Sequence, residues 1–486
     1  MAGSVALFAT APASADAPPA TDSHTLIGFP ADYPSVYTPP STPASLPPPA
    51  PLAPTVPAQP RTSRTAIRGL ELGPPQPLPA AAAPALLKGD SSDVDYTTRR
   101  YEPAGFPLIG GDSDIGFQFG AVATLSRFEN GIRPYSWNMD FVASTSVKSG
   151  PSGVDFVQQQ FLWHDDIVGL LNGRLRLNPL VTYSRTVNEG YFGLGNASSA
   201  VVPSNYVGAS GRYFEWIDST AIARLVPRYT IHGKWFATGD LSYRFMDPSA
   251  YADSKLARDA ATRGPDGAPL VQGLQRASIP AVAVGVGYDS RDNEIFTKHG
   301  QNHQMGVQYS EGIPSSAAIQ YGEASMQLSG FQPIGPFVLA GRFTADLEFG
   351  HVPFYDLLQA GIFGQYEALG GEQGVRGVPV GRYLGKVKVY GNGELRSMFF
   401  KFSLFKQKFS LGGDALVDVG RSWLDYSFKN PADGSGLGLK YGVGGGIYAV
   451  WGQAAIFRID VAYSPDAAAE NPHFPVGLYV ADGTSF

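Results

Sequence analysis

The residue types that most often carry catalysis or bind metals are sparse and unsuitably spaced in this chain of 486 residues. It contains no Gly-x-Ser-x-Gly nucleophile segment, no phosphate-binding Gly-x-x-x-x-Gly-Lys loop and no His-Glu-x-x-His pair. His299 and His303 are four residues apart, but they fall in a predicted turn, so we interpret them as solvated side chains. Cysteine is absent, which excludes thiolate metal sites and disulfide bridges. The sequence therefore predicts a protein that is not an enzyme and that needs no metal or cofactor.

Composition limits the folds that could position the remaining polar residues. The formal net charge is −6, and no basic run marks a surface for nucleic acid. Aromatic residues make up 12% of the chain and charged residues 16%, and no stretch approaches the ~18 consecutive apolar residues of a membrane helix. A β-barrel that alternates lipid-facing and lumen-facing side chains combines many aromatics with average hydropathy in this way.

Alternation of apolar and polar residues is clearest between Gly335 and Gly350. The apolar positions are Phe337, Leu339, Phe343, Leu347 and Phe349, and the polar positions are Arg342, Thr344, Asp346 and Glu348. Similar alternation recurs at residues 409–419 and 457–463. Charges along the polar face indicate a wet lumen rather than the surface of a one-sided soluble sheet.

Short and long links alternate between these segments, as in barrels that have short periplasmic turns and longer external loops. The resulting strands are at residues 104–110, 115–126, 134–146, 153–163, 171–186, 212–230, 233–245, 278–289, 301–309, 319–331, 336–349, 386–400, 409–420, 438–451, 454–463 and 474–486. The predicted fold class is all-β: a 16-stranded antiparallel transmembrane β-barrel.

The first hundred residues differ in composition from the rest. Residues 1–15 contain a short apolar run that ends in Ala-Ser-Ala, which predicts a partial secretory signal peptide. Between Pro30 and Pro60, twelve of thirty-one residues are proline, so we expect residues 16–100 to be a disordered linker. Residues 101–486 then form the barrel.

One glycine-rich segment stands out in the longest late loop. It reads Ala-Leu-Gly-Gly-Glu-Gln-Gly-Val-Arg-Gly from Ala368 to Gly377, and its tip is Val375-Arg376-Gly377. Two acids follow on later predicted strands: Glu394 in Gly-Glu-Leu-Arg, and Asp418 in Asp-x-Gly-x-x-Trp.

Two further motifs precede this loop. Residues 193–196 read Gly-Leu-Gly-Asn, and a short turn follows Tyr288 and contains Asp289, Arg291, Asp292 and Gly300. In type and order these segments resemble the BamA/TamA-like outer-membrane surface-antigen family of bacteria, in which the sixth external loop folds back into the barrel. The resemblance spans most of residues 101–486.

The resemblance implies that Arg376 lies inside the lumen between Glu394 and Asp418. Both acids fall on the polar phase of their predicted strands, and about fifteen extended residues span ~50 Å, against an apolar band of ~25 Å. A planar guanidinium can then bind both carboxylates. Gly370, Gly371 and Gly377 would permit the close backbone approach. The alternative is that Arg376 is an exposed loop residue and the two acids are ordinary lumen polarity.

Phe486 is the last residue of the sequence, at the end of the last predicted strand. An aromatic residue there resembles the signal that outer-membrane assembly machinery reads. Leu478 and Val480 would share its lipid-facing row.

The resemblance also implies a location and a role. We expect a bacterial outer-membrane protein that acts in the assembly, insertion or translocation of outer-membrane or secreted proteins, or of lipid. Expected partners are outer-membrane lipids and lipopolysaccharide, the barrel assembly machinery during biogenesis, and client proteins or a periplasmic partner, with no nucleic acid. The proline-rich segment predicts no periplasmic polypeptide-transport repeats. The alternative is a pore-type or structural barrel without insertase activity.

The resemblance also implies a weakly paired seam, able to open, where the first and last strands meet. Pro103, Gly105 and Pro107 interrupt the first predicted strand, and Gly477 and Gly483 loosen the last. Opening of this seam would be the route by which a barrel acts on its cargo.

Overall fold

The computed structural model describes residues 97–112, 116–132, 135–150, 153–208, 211–264, 267–294, 296–314, 318–364, 366–404, 407–451, 455–469, 473–482 and 486. The predicted signal peptide and most of the predicted linker lie outside these residues, so both stay predictions.

Sixteen long strands account for most of the described chain. They are β1 Arg100–Asp112, β2 Gly116–Phe128, β3 Trp137–Gly150, β4 Gly153–Gly169, β5 Leu175–Gly190, β6 Glu215–His232, β7 Trp235–Met246, β8 Ala277–Asp289, β9 Gly300–Glu311, β10 Gln320–Ile334, β11 Phe337–His351, β12 Val387–Leu404, β13 Gln407–Trp423, β14 Lys440–Trp451, β15 Ala455–Tyr463 and β16 Val476–Asp482. Each strand pairs antiparallel with the next. The predicted number and order of strands are confirmed.

Helical segments are short and lie between strands. They are the turn Leu170–Gly173, the helix Lys255–Ala261 and the 3₁₀ segments Pro431–Asp433 and Pro465–Ala469. Two-residue strands lie at Ser249–Ala250, Gln359–Ala360 and Tyr366–Glu367. Among the residues described, none of the helices is long and apolar enough to cross a membrane.

The two faces of the sheet differ sharply in chemistry, as β11 shows. The apolar Leu339 and Phe343 are 48% and 41% exposed. The charged Arg342 and Asp346, which point to the other face, are 3% and 0% exposed. The same division runs round the sheet, and exposed apolar side chains include Phe141, Phe161, Val181, Leu241, Val284, Val307, Val417, Ile447 and Val461. An apolar outer surface this extensive is suited to lipid rather than water.

The sheet curves around a single segment, residues 352–386, which we call the plug. The plug accepts a hydrogen bond from Arg224 on β6 and donates one to Tyr479 on β16. A segment can contact strands so far apart in the pairing order only if the sheet wraps around it. The fold is therefore a barrel whose long loop occupies the lumen.

The seam between the first and last strands is the exception to regular pairing. Within the part of the chain that the structure describes, β1 pairs only with β2 and β16 only with β15. Strand β16 has seven residues, whereas β1 has thirteen. The last strand was predicted at 474–486 and is described at Val476–Asp482, and Phe486 packs against the inner face of the wall.

Candidate functional site

Nearly every described residue of the plug is buried. Its apolar residues pack with one another and with Tyr390 of β12, in a cluster that comprises Ala360, Ala368, Leu369, Val375, Val378, Tyr383 and Tyr390. The plug thus has a small core of its own, which holds the Val375–Gly377 tip against the wall of the barrel.

Arg376 lies among three carboxylates in the middle of the lumen. Its Nε is 2.7 Å from Asp418 Oδ2 and its Nη2 is 3.0 Å from Asp418 Oδ1, a bidentate pair. Its Nη1 is 2.7 Å from Glu394 Oε1 and 3.0 Å from Asp460 Oδ2. One guanidinium therefore joins β12, β13 and β15, and we call this arrangement the latch.

Two further arginines and an asparagine pair with the acids of the latch. Arg396 donates its Nε to Glu394 at 2.7 Å, and Arg458 lies 3.5 Å from Asp460. Asn392 donates to both Asp418 Oδ1, at 2.9 Å, and the plug carbonyl of Gly374, at 2.6 Å. Buried charges need this degree of pairing, because a carboxylate without a partner loses its hydration and gains nothing in return.

Glycines make room for the plug to approach the wall. Gly377 has a φ of +91°, and a Cβ there would lie 2.9 Å from the carbonyl oxygen of Ala462. On the wall, a Cβ at Gly442 of β14 would overlap the carbonyl oxygen of Arg376. Gly370 and Gly371 also have positive φ, so all three predicted glycines serve backbone geometry.

A second ionic anchor holds the start of the plug to another part of the wall. Asp356 accepts two hydrogen bonds from Arg244 of β7, at 2.6 and 2.5 Å, and a third from the hydroxyl of Tyr321 on β10, at 2.7 Å. The polarity is reversed relative to the latch, since here the plug supplies the anion and the wall the cation.

Sequence reasoning found two of the three latch acids and missed the second anchor. Asp460 lies on the polar phase of the alternation at residues 457–463, which was the available signal for the third acid. Asp356 and Arg244 are 112 residues apart and belong to no motif that we recognised.

The turn motif of β8 and β9 forms a separate arrangement. The carboxylate of Asp289 pairs with Arg291, at 3.1 and 2.9 Å, and Gly300 has a φ of +114°. Asp292 accepts the backbone N–H groups of Lys298 and His299. Burial alone would raise the pKa of Asp292, but those N–H groups outweigh it and hold the pKa below its ordinary value. These contacts build the turn itself.

External loops close over the plug at the opposite end from that turn. The backbone N–H of Gly195 donates to Leu384 of the plug at 2.8 Å, and the side chain of Asn196 donates to the carbonyl of Gly438 at 2.7 Å. A Cβ at Gly195 would overlap the carbonyl of Ala432. The Gly-Leu-Gly-Asn segment therefore packs three loops together above the lumen.

Phe486 does not occupy the position that we expected. Its side chain is 8% exposed and packs with Phe331, Val338 and Ala340, which belong to the inner face. The expected lipid-facing row is wrong at this residue. An assembly signal at Phe486 stays a prediction.

Together, the fold and the latch define a membrane β-barrel with a plug held in its lumen by buried ion pairs. Comparison with protein families and with curated proteins gives no match. Among solved structures, the chain is similar to BamA from Haemophilus ducreyi lacking POTRA domains 1–3, at 14% identity and a TM-score of 0.47, over 80% of this chain and 69% of that one.

Two further solved structures are similar in fold. CdiB from Escherichia coli matches at 16% identity and a TM-score of 0.47, over 75% of this chain. The chain spans 59% of CdiB. A bacterial polysaccharide outer membrane secretin matches at 10% identity and a TM-score of 0.34, over 77% of this chain and 93% of that one.

Proposed function

We propose that this protein acts, without catalysing a reaction, in the bacterial outer membrane in the assembly, insertion or translocation of outer-membrane or secreted proteins. The observation that carries the proposal is the seam. Within the described residues no ladder joins β1 to β16, while the other neighbouring strands pair in sequence order. A strand edge that no ladder covers is a template on which another chain can add a strand.

The lumen offers no comparable route. The described residues of the plug are nearly all buried, and the plug is tied to the wall at Arg376 and at Asp356. Passage of a polypeptide through the barrel would require both anchors to break, whereas the seam is bounded by weak strand edges. Pro103 and Pro107 on β1 have no N–H to donate to a ladder.

A cysteine crosslinking experiment tests the seam directly. Because the chain has no cysteine, introduced thiols are unique. Pairs scanned between residues 107–112 of β1 and 478–482 of β16 should crosslink, because the two strands run antiparallel. The crosslinked protein in liposomes should lose the ability to insert an unfolded outer-membrane barrel protein. Reduction should restore insertion.

The matched control joins two strands that are already paired. Ala121 of β2 faces Ala143 of β3 in register, and both side chains are exposed. A disulfide between Ala121→Cys and Ala143→Cys should leave insertion unchanged. Full insertion activity with a crosslinked seam would refute the proposal. If the protein conducts small solutes but inserts no client, whether the seam is crosslinked or reduced, the pore-type alternative is favoured.

A further inference from the structure

Phe486 lies in a defined site on the inner wall, which we call the aromatic seat. The seat consists of Phe331 on β10, Val338, Ala340 and Arg342 on β11, and Arg396 on β12. The rings of Phe331 and Phe486 are 6.2 Å apart between centroids. The apolar residues pack against the ring of Phe486, and the two arginines lie beside it.

Two cations flank the bound ring. The guanidinium carbons of Arg342 and Arg396 are 5.1 and 5.0 Å from the centroid of Phe486, within the ~6 Å range of cation–π attraction. Arg396 also donates Nη2 to the main-chain oxygen of Phe486 at 3.3 Å. An aliphatic side chain of similar size would keep the apolar contacts but lose both interactions with the ring.

Both cations of the seat are bonded to the latch or the plug as well. Arg396 donates its Nε to Glu394 at 2.7 Å, and Glu394 accepts from Arg376 at 2.7 Å. Arg342 donates to Asn392 and to the plug carbonyl of Gln373. Occupancy of the seat is therefore connected to the latch through one shared carboxylate and to the plug directly.

The position of the seat shows how a chain can reach it. In register, Phe331 faces Ala340, and Val338 faces Arg396, next to the short turn that joins β10 and β11. This is the end of the barrel opposite the external loops that close over the plug. Phe486 arrives there from β16, which in pairing order lies five strands beyond β11 on the side away from β10.

We propose that the aromatic seat is an exchangeable binding site for an aromatic residue carried on an extended chain. Phe486 occupies it at rest, and a client strand that replaces β16 at the seam delivers its own aromatic residue to the same place. This second part rests on the proposed function. Vacating the seat removes one partner from Arg396 and loosens the latch.

The binding test uses the full-length protein in detergent micelles and a fluorescent peptide with the sequence of residues 476–486. Phe486→Ala vacates the seat, so this variant should bind the peptide about tenfold more tightly than the unsubstituted protein does. A peptide with leucine in place of the phenylalanine should bind the variant about tenfold more weakly than the phenylalanine peptide. Equal binding of the two peptides, or equal binding by the two proteins, would overturn the proposal.

Two further variants keep the result interpretable. Phe474→Ala removes an exposed phenylalanine (62% exposed) outside the seat and should leave peptide binding as in the unsubstituted protein. Arg396→Lys in the Phe486→Ala background keeps a positive charge but loses the planar face, and should weaken binding of the phenylalanine peptide. If that variant does not fold, the comparison of the phenylalanine and leucine peptides still decides the proposal.

Insertion activity is measured separately from binding. A protein that binds the peptide selectively but inserts no client retains the seat and contradicts the proposed function. A protein that inserts clients but binds both peptides equally retains the function and contradicts the seat.

Discussion

Arg376 and Asp418 form a bidentate ion pair in which neither side chain is exposed to solvent. The backbone N–H of Arg376 donates to the same carboxylate, at 3.1 Å. Asp418 thus fixes both the main chain and the side chain of the plug tip, which a lumen residue of merely suitable charge would not do.

Loss of Arg376 should destabilise the barrel more than loss of any exposed arginine. Arg376→Ala leaves Glu394, Asp418 and Asp460 buried without their common partner, and we expect a loss of about 3–5 kcal/mol in the free energy of unfolding. Urea unfolding in micelles measures it. The control is Arg276→Ala, because Arg276 is 67% exposed beside Asp247 and should cost less than about 1 kcal/mol. Equal losses would show that the latch is not buried in solution.

The effect of removing Asp460 on the free energy of unfolding should depend on whether Arg376 is present. Asp460→Ala alone removes one of the four side-chain bonds of Arg376 and should cost about 1–3 kcal/mol. In the Arg376→Ala background Asp460 keeps only Arg458 as a charged partner, at 3.5 Å, so the same change should cost less than it does alone. A double-mutant cycle by urea unfolding measures the coupling. Additive losses would place Asp460 outside the latch.

Much of the fold could be predicted because burial in a barrel has a period of two. The exposed Leu339 and Phe343 and the buried Arg342 and Asp346 occupy alternate positions, and that alternation is visible in the sequence. The same phase placed Glu394 and Asp418 in the lumen, where the structure brings them to Arg376.

What could not be predicted depends on relations between distant strands. Alternation placed Asp460 on the polar face, but only the stagger of β15 against β12 and β13 decides that it reaches Arg376. The pairing of Asp356 with Arg244 requires the path of the plug across the lumen. Phe486 was misplaced because the alternation within one strand does not show that its side chain packs with Phe331 and Ala340 of other strands.

The two anchors of the plug should act in parallel. Arg376→Ala and Arg244→Ala each leave the other anchor intact, so each single variant should keep the lumen closed to ions. The double variant should conduct, because only apolar packing and single hydrogen bonds such as that from Arg224 to the carbonyl of Ile362 then oppose the entropy of releasing a long loop. Single-channel recording in planar bilayers measures the conductance. An open pore in the Arg376→Ala single variant would contradict the role of the second anchor.

A substitution at Gly442 tests how closely the plug tip approaches β14. Gly442→Ala would place a methyl group against the carbonyl oxygen of Arg376, and neither is the flexible end of a side chain. The plug tip must then move away from β14, at an expected cost of about 1–3 kcal/mol. The matched control is Gly330→Ala, where a Cβ would meet nothing within 4 Å. Limited trypsin digestion should cut Gly442→Ala at Arg376 or Arg382 while the control and the unsubstituted protein stay intact there. Resistance of Gly442→Ala equal to that of the control would mean that the tip does not approach β14 in the membrane.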